Sequence, residues 1–150
     1  MNIIDLLKDK EKVKKVLEEA INKKNKEVVE ILIPIAQDPK LTYIYAKEII
    51  RGKIKDEWEE IIAQDPHYSF NYSLYVLRGP FIKGEDAISK NAELSYVYAK
   101  LLRNRFIKGE KTIIKINTGF VNDYLWFLRE IGKLEEFLKD HPEVNNIFDR

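Results

Sequence analysis

The sequence contains no cysteine and only two histidines. Without cysteine the chain has no disulfide, no thiolate metal ligand and no cysteine nucleophile. His67 and His141 have no acidic or serine partner at a catalytic spacing, and we interpret both as exposed residues near helix starts. The sequence therefore predicts no catalytic residue, no metal and no cofactor, and a protein that is not an enzyme.

Long apolar runs and an excess of one charge are also missing. No apolar run approaches the roughly 20 residues that span a bilayer, and the first residues mix charges among their apolar side chains, unlike a signal peptide. The 26 basic and 25 acidic residues nearly cancel to a net charge of +1, which gives polyanions little long-range attraction. This composition favours a cytoplasmic protein with no membrane partner, and any nucleic-acid role needs a local basic patch.

The sequence does contain a repeat. Asp38, Asp65, Asn91 and Asn117 open four related segments at intervals of 27, 26 and 26 residues. A period of this size is typical of stacked supersecondary units. In the first two segments a capping carboxylate precedes a proline, which predicts the N-cap and first position of a helix. Asn91 and Asn117 are predicted to cap helices without the proline.

Each segment continues with small residues, tyrosines and aliphatic residues at helical spacing. The stripes are Thr42, Tyr45, Ala46 and Ile49; Ser69, Tyr72, Ser73 and Val76; Ser95, Tyr98, Ala99 and Leu102; and, in a degraded fourth copy, Val121, Tyr124, Leu125 and Leu128. Such a stripe predicts one buried helix face, with the tyrosines inside.

In the first three segments a break and a second, shorter helix follow. Gly52, Gly79 and Asn104 are predicted to supply the left-handed backbone that ends the first helices. The second helices are predicted at 54–62, 81–89 and 106–114, which gives helix pairs at 38–63, 65–89 and 91–115 and no sheet.

These patterns predict an all-α fold of stacked helix pairs that form a small α-solenoid. No low-complexity linker divides the chain, so 1–150 is predicted to be a single domain. Atypical capping helices are expected at 1–34 and at 132–150, with a break at 140–142, and the repeats occupy 35–131.

The repeated phrase has a recognisable form in "DPKLTYIYAKEIIRGKI", "DPHYSFNYSLYVLRGPFIKGE" and "NAELSYVYAKLLRNRFIKGE". It resembles short α-helical repeats of phage and bacterial proteins of unassigned function, and is more loosely similar to HEAT-type solenoids. The resemblance covers roughly half of the chain, and the fourth segment keeps little beyond Tyr124. It implies a helical fold, a phage or prophage origin and a role in binding proteins or nucleic acids, and it carries no catalytic residue.

An aromatic row borders the buried stripe. It consists of Tyr43, Phe70 and Tyr96, each about 100° round the helix from the stripe, with Lys47 and Lys100 one turn further on. Trp126 occupies the position that these lysines have in earlier segments, where a solvated residue is expected, which suggests contact with the terminal helices or with a partner. Aromatic residues beside cations suit a protein partner or stacked bases; the alternative is packing between repeats.

A second row consists of arginines at the ends of the first helices, namely Arg51, Arg78, Arg103 and Arg129. Repeat-equivalent guanidinium groups suit phosphates or an acidic partner, and Lys53, Arg105, Lys108 and Lys111 are expected to widen the row. The alternative is a cation that stabilises a helix C-terminus. Glu85 and Glu110 also recur, and we interpret them as helix-terminal charges or ion-pair partners of an arginine.

The sequence thus favours a non-catalytic protein–protein interaction module whose partner is another protein. The alternative is a nucleic-acid-binding solenoid that uses the arginine row; carboxylates interleaved with the basic residues would count against it. An unfamiliar enzyme, a structural element and a homo-oligomer stay open.

Overall fold

The computed structural model of the protein describes residues 2–115 and 118–145. All regular secondary structure in those residues is helical, and they contain no β-strand. This confirms the all-α prediction. Contacts divide the chain into two compact units, Met1–Gly84 and Glu85–Arg150, which are described separately. The single-domain organisation stays a prediction.

The first unit contains the N-terminal helices and most of the first two repeats. Its elements are α1 (Ile3–Lys8), α2 (Lys10–Asn22), α3 (Lys26–Ala36), α4 (Pro39–Ile44) with a π-helical turn (Tyr45–Ile50), α5 (Asp56–Ile62), α6 (Pro66–Asn71) with a π-helical turn (Tyr72–Leu77), and a 3-10 turn (Ile82–Gly84). The helices α1 to α3 are those predicted for the N-terminal cap, although α3 runs two residues past the predicted boundary at 34.

The second unit contains the rest of the repeats and the C-terminal helices. Its elements are α7 (Glu85–Ile88), α8 (Ala92–Leu102), α9 (Ile107–Ile113), α10 (Val121–Glu130), α11 (Leu134–Asp140) and a 3-10 turn (Pro142–Val144). The break at 140–142 is as predicted, because α11 ends at Asp140 and the 3-10 turn begins at Pro142. The predicted cap Asn117 lies outside the described residues.

The three predicted capping residues that are described act as predicted. Asp38, Asp65 and Asn91 each accept a hydrogen bond of 2.9 Å from the backbone N–H three residues on. Proline follows the two aspartates at the first helical positions. The repeat period therefore sets where α4, α6 and α8 begin.

The repeated tyrosines are buried, as the stripe predicted. Tyr45, Tyr72 and Tyr98 are each 0% exposed. An aromatic ring from the loop or second helix of the same repeat meets each tyrosine edge-on: Trp58, Phe81 and Phe106, at centroid distances of 6.0, 4.8 and 4.8 Å. The small residues of the stripe allow this close packing.

A one-residue difference in length explains the two π-helical turns. Arg51 lies 13 residues after Asp38, and Arg78 lies 13 after Asp65, but Arg103 lies only 12 after Asn91. The carbonyls of Ala46 and Ser73 accept from the arginine N–H five residues on, whereas in α8 the carbonyl of Ala99 accepts from Arg103 four residues on. The extra residue in the first two repeats is therefore taken up as a single π turn.

The residues that end these helices in a left-handed conformation are arginines. Arg51, Arg78 and Arg103 have φ values of 59°, 54° and 54°. The prediction that Gly52, Gly79 and Asn104 take this role was wrong, because each helix reaches its last carbonyl bond one residue earlier. A non-glycine residue in this region costs about 1 kcal/mol relative to glycine.

Candidate functional site

An open groove of about 490 Å³ lies along α10 and α11 in the second unit. Its lining consists of Leu125, Trp126, Leu134 and Leu138, with Asn122, Arg129 and Asn145 as the polar residues. Trp126 is 64% exposed, and the Arg129 guanidinium carbon lies 5.6 Å from the centroid of its ring. The groove therefore combines an accessible aromatic ring, aliphatic walls and one cation.

The position of Trp126 follows from the helical repeat of α10. Tyr124 and Leu128 are fully buried, and a residue two positions after Tyr124 is rotated about 200° from it. Trp126 therefore points away from the core, where the repeat has a solvated residue. The structure brings Trp126 and Arg129 together, although they were predicted for two different rows.

The aromatic row takes a different form in the first unit. Tyr43 is only 7% exposed and its ring packs 5.7 Å from that of Tyr68, while Phe70 is half-buried. The accessible ring is instead Tyr75, which is 55% exposed and has the Lys47 ammonium 5.3 Å from its centroid. Tyr75 was missed because it lies outside the stripe, although a large aromatic residue where the preceding repeat has Glu48 was a usable signal.

In the second unit the row retains Tyr96 and Lys100. The half-buried ring of Tyr96 stacks 6.2 Å from that of Phe120, and the Lys100 ammonium lies 5.3 Å from the Tyr96 centroid. Cation–aromatic contacts thus recur on the first helices of the repeats, in the pairs Lys47 with Tyr75, Lys100 with Tyr96 and Arg129 with Trp126.

The arginines that end the first helices are exposed. The side chains of Arg51, Arg78 and Arg103 form no hydrogen bond or ion pair with any residue that the structure describes. Arg51 and Arg78 belong to the first unit and Arg103 and Arg129 to the second. Two of the four arginines thus lie in each unit, and a continuous row across both units stays a prediction.

Most of the cations expected to widen this row have carboxylate partners. Lys53 Nζ lies 2.9 Å from Glu59 Oε1, and Lys108 Nζ lies 3.3 Å from Asp86 Oδ1. Arg105 is buried and pairs with Glu110, Glu136 and Asp140. The expectation of a wider basic row was therefore wrong for these three residues, because acidic residues of their own unit neutralise them.

The sequence reasoning also missed a repeated tyrosine–glutamate pair. The hydroxyls of Tyr72, Tyr98 and Tyr124 donate to the carboxylates of Glu59, Glu85 and Glu110, over distances of 2.7, 3.0 and 2.6 Å. Each pair joins the first helix of one repeat to the second-helix segment of the repeat before it. The separations of 13, 13 and 14 residues were a usable signal.

Two of these glutamates, Glu110 and Glu59, accept hydrogen bonds from several charged and polar side chains. Glu110 is 0% exposed and accepts from Arg105 Nε at 2.9 Å, while His141 Nε2 lies 3.3 Å away. Burial raises the pKa of the Glu110 carboxyl, but Arg105, Tyr124 and His141 outweigh burial and hold the pKa below its ordinary value. His141 is therefore a partly buried partner of Glu110 and not the exposed residue we expected.

The equivalent network in the first unit surrounds Glu59. Burial raises the pKa of this carboxyl, but hydrogen bonds from Lys83, Tyr72 and Lys53 lower it below its ordinary value. An ionised carboxylate has no proton to donate as a general acid, and Lys53, Lys83 and Tyr72 already donate to that of Glu59. Glu59 and Glu110 therefore act as structural anions that hold successive repeats together.

Within residues 2–115 and 118–145, no group of three or more histidine or acidic side chains is arranged to hold a metal ion. The helices in that part of the chain are too short or too polar to cross a membrane. Comparison of the chain with protein-family models, with curated proteins and with solved structures finds no match.

Proposed function

We propose that this chain is a non-catalytic protein-interaction module, an α-solenoid in which a partner protein docks on the groove beside Trp126. The exposure of Trp126 beside Leu134 and Leu138 carries this proposal. Tryptophan and arginine are the residues most enriched among those that dominate binding energy at protein interfaces. An indole at the mouth of an apolar groove suits a bulky apolar side chain of the partner.

Two observations favour a protein over a nucleic acid. Carboxylates neutralise Lys53, Arg105 and Lys108, and the net charge of the chain is +1. Duplex binding depends on several unpaired cations that follow the phosphates. The unpaired arginines 51, 78 and 103 support the nucleic-acid alternative, and the experiment below includes it.

Affinity capture from the native host, with half of each sample treated with nuclease, tests the proposal. Wild type, Trp126→Ala and Ile31→Ala serve as baits, because Ile31 lies in the first unit and is also 64% exposed. A partner captured by wild type and Ile31→Ala, lost with Trp126→Ala and unaffected by nuclease is the expected result. A partner that Trp126→Ala retains, or that nuclease removes, contradicts the proposal.

Direct titration of the purified partner completes the test. Trp58→Phe leaves Trp126 as the single tryptophan of the chain, so its emission reports on the groove alone. We expect a blue shift on binding. In the otherwise wild-type chain, Trp126→Ala should weaken affinity about 30-fold, the effect of losing about 2 kcal/mol at a dominant interface residue.

A further inference from the structure

The fold explains where the left-handed residue falls at the end of each first helix, but not why an arginine occupies that position. Arg51 and Arg78 adopt the left-handed region, which glycine occupies at least cost. Each is followed directly by a glycine, Gly52 or Gly79, and neither glycine is among the residues with positive φ. Exchanging Arg51 with Gly52, or Arg78 with Gly79, would place the glycine in the left-handed region and remove the strain.

Stabilisation of the helix C-terminus does not account for this order. A cation acts on the helix dipole anywhere in the last turn, so an arginine one position away would serve equally well. Contacts within the protein do not account for it either, because the Arg51 and Arg78 side chains have no hydrogen-bond or ion-pair partner among the described residues. Residues held in this region cluster at ligand-binding sites, and an arginine kept there beside a glycine therefore motivates a hypothesis of binding.

The surroundings of the two arginines limit what they bind. The π-helical turns that precede them pack against each other within the first unit, and packed helices lie about 8–10 Å apart. Lys53 is engaged by Glu59, and Lys47 lies 3.7 Å from Glu48. The surface thus offers two isolated guanidinium groups and not a continuous basic track.

We propose that Arg51 and Arg78 bind two carboxylates of an acidic segment of a partner protein. Guanidinium forms two parallel hydrogen bonds with a carboxylate. In a polyproline II segment, residues three apart lie on one face about 9 Å apart, which matches the spacing of packed helices. The inference rests on the proposed function in that the ligand is a protein segment, but it concerns residues of the first unit, whereas the groove residues belong to the second.

The test uses the full chain and a short fluorescent peptide with a glutamate at every third position. A glutamine version of the peptide and a single-stranded oligothymidylate are the comparison ligands. The variants are Arg51→Gly with Arg78→Gly, and Arg51→Asn with Arg78→Asn, because asparagine tolerates the left-handed region without a charge. Lys15→Gln with Lys40→Gln is the control, since both lysines are exposed and its charge change is the same.

We expect wild type and the lysine control to bind the glutamate peptide, and both arginine variants to bind it about tenfold more weakly or worse. The glycine variant should also melt a few degrees higher than wild type, because strain is removed. Equal peptide affinity in wild type and the arginine variants overturns the inference, as does a lower melting temperature of the glycine variant. Tighter, arginine-dependent binding of the oligothymidylate assigns the site to phosphates and also overturns it. A failure here leaves the Trp126 experiment unaffected.

Discussion

Tyr72 and Tyr124 each bring a hydroxyl into the core, where an unpaired polar group is costly. Each hydroxyl accepts from a backbone N–H, that of Ile54 or Phe106, as well as donating to its glutamate. Burial, followed by the hydrogen bond to the glutamate, raises the pKa of both tyrosines. The hydroxyls therefore stay protonated and keep donating.

Two glycines are required where the second-helix segment meets the first helix of its repeat. A Cβ atom at Gly84 would lie 2.7 Å from Ser69 Cβ, and one at Gly109 would lie 2.5 Å from Ser95 Cβ, whereas one at Gly52 meets nothing within 4 Å. We expect Gly84→Ala and Gly109→Ala each to lower the free energy of unfolding by about 1–3 kcal/mol through overpacking. Urea unfolding measures this.

Gly52→Ala is the matched control for these substitutions. Gly52 is not in the left-handed region, so alanine there should leave stability unchanged or raise it slightly. Equal losses for all three variants would show that the close approach to Ser69 and Ser95 is not the cause.

At the scale of elements, the π-helical turns record a difference in repeat length. The first two repeats hold one more residue than the third between the opening cap and the arginine, yet all three close on the equivalent carbonyl. The core face up to that carbonyl is thus preserved, and the surplus residue is confined to the last turn.

Deleting Glu48 tests this explanation. Glu48 is exposed, and its removal leaves Lys47, Ile49 and Ile50 before Arg51, as Lys100, Leu101 and Leu102 precede Arg103. We expect an α-helical last turn and a free energy of unfolding within about 1 kcal/mol of wild type. Circular dichroism melts and urea unfolding measure the stability of the deletion variant against wild type.

The matched deletion removes Lys100 from α8. That helix already closes with a four-residue bond from the Arg103 N–H to the Ala99 carbonyl, so it has no surplus residue, and the deletion rotates Leu101 and Leu102 out of register. A loss of about 3 kcal/mol or more is expected. Comparable losses of stability for the two deletions would contradict the explanation that the π-helical turns take up one extra residue.

For the whole molecule the net charge is close to zero, and many acidic and basic side chains form ion pairs within their own unit. Hydrogen bonds from Lys83 and Lys53 lower the pKa of Asp56 to about 2, and the pKa values of Glu59 and Glu110 are also lowered. A carboxyl whose pKa is lower in the folded state than in the unfolded state stabilises the fold above its ordinary pKa. That contribution is lost as the pH falls through the folded value.

We therefore expect the urea midpoint to fall steeply as the pH is lowered from about 5 towards 2. Glu110→Gln should lower the free energy of unfolding by about 3 kcal/mol at pH 7, because it leaves the buried Arg105 without its nearest counter-charge. The urea midpoint of this variant should fall less steeply with decreasing pH than that of wild type. Glu59→Gln should cost less at pH 7, since Lys53 and Lys83 reach water. Identical acid profiles for wild type and both variants would show that other groups govern acid unfolding.

The sequence by itself determined the all-helical fold, the starts of α4, α6 and α8, and the burial of the tyrosines. These features depend on local chemistry, namely capping at Asp38, Asp65 and Asn91 and the period of the apolar stripe, which a linear pattern displays. The exposure of Trp126 was also predictable, because it occupies the position of Lys47 and Lys100, which the pattern leaves in solvent.

Only the tertiary structure decided which charges meet and which rings are covered. Arg105 pairs with Asp140 and Glu110 with His141, contacts between residues far apart in the chain that no spacing rule displays. Tyr43 was predicted at the border of the buried face, and the ring of Tyr68 packs against it and helps to cover it. Capping and periodicity act within one helix, whereas ion pairing and burial depend on what the neighbouring helices place opposite each residue.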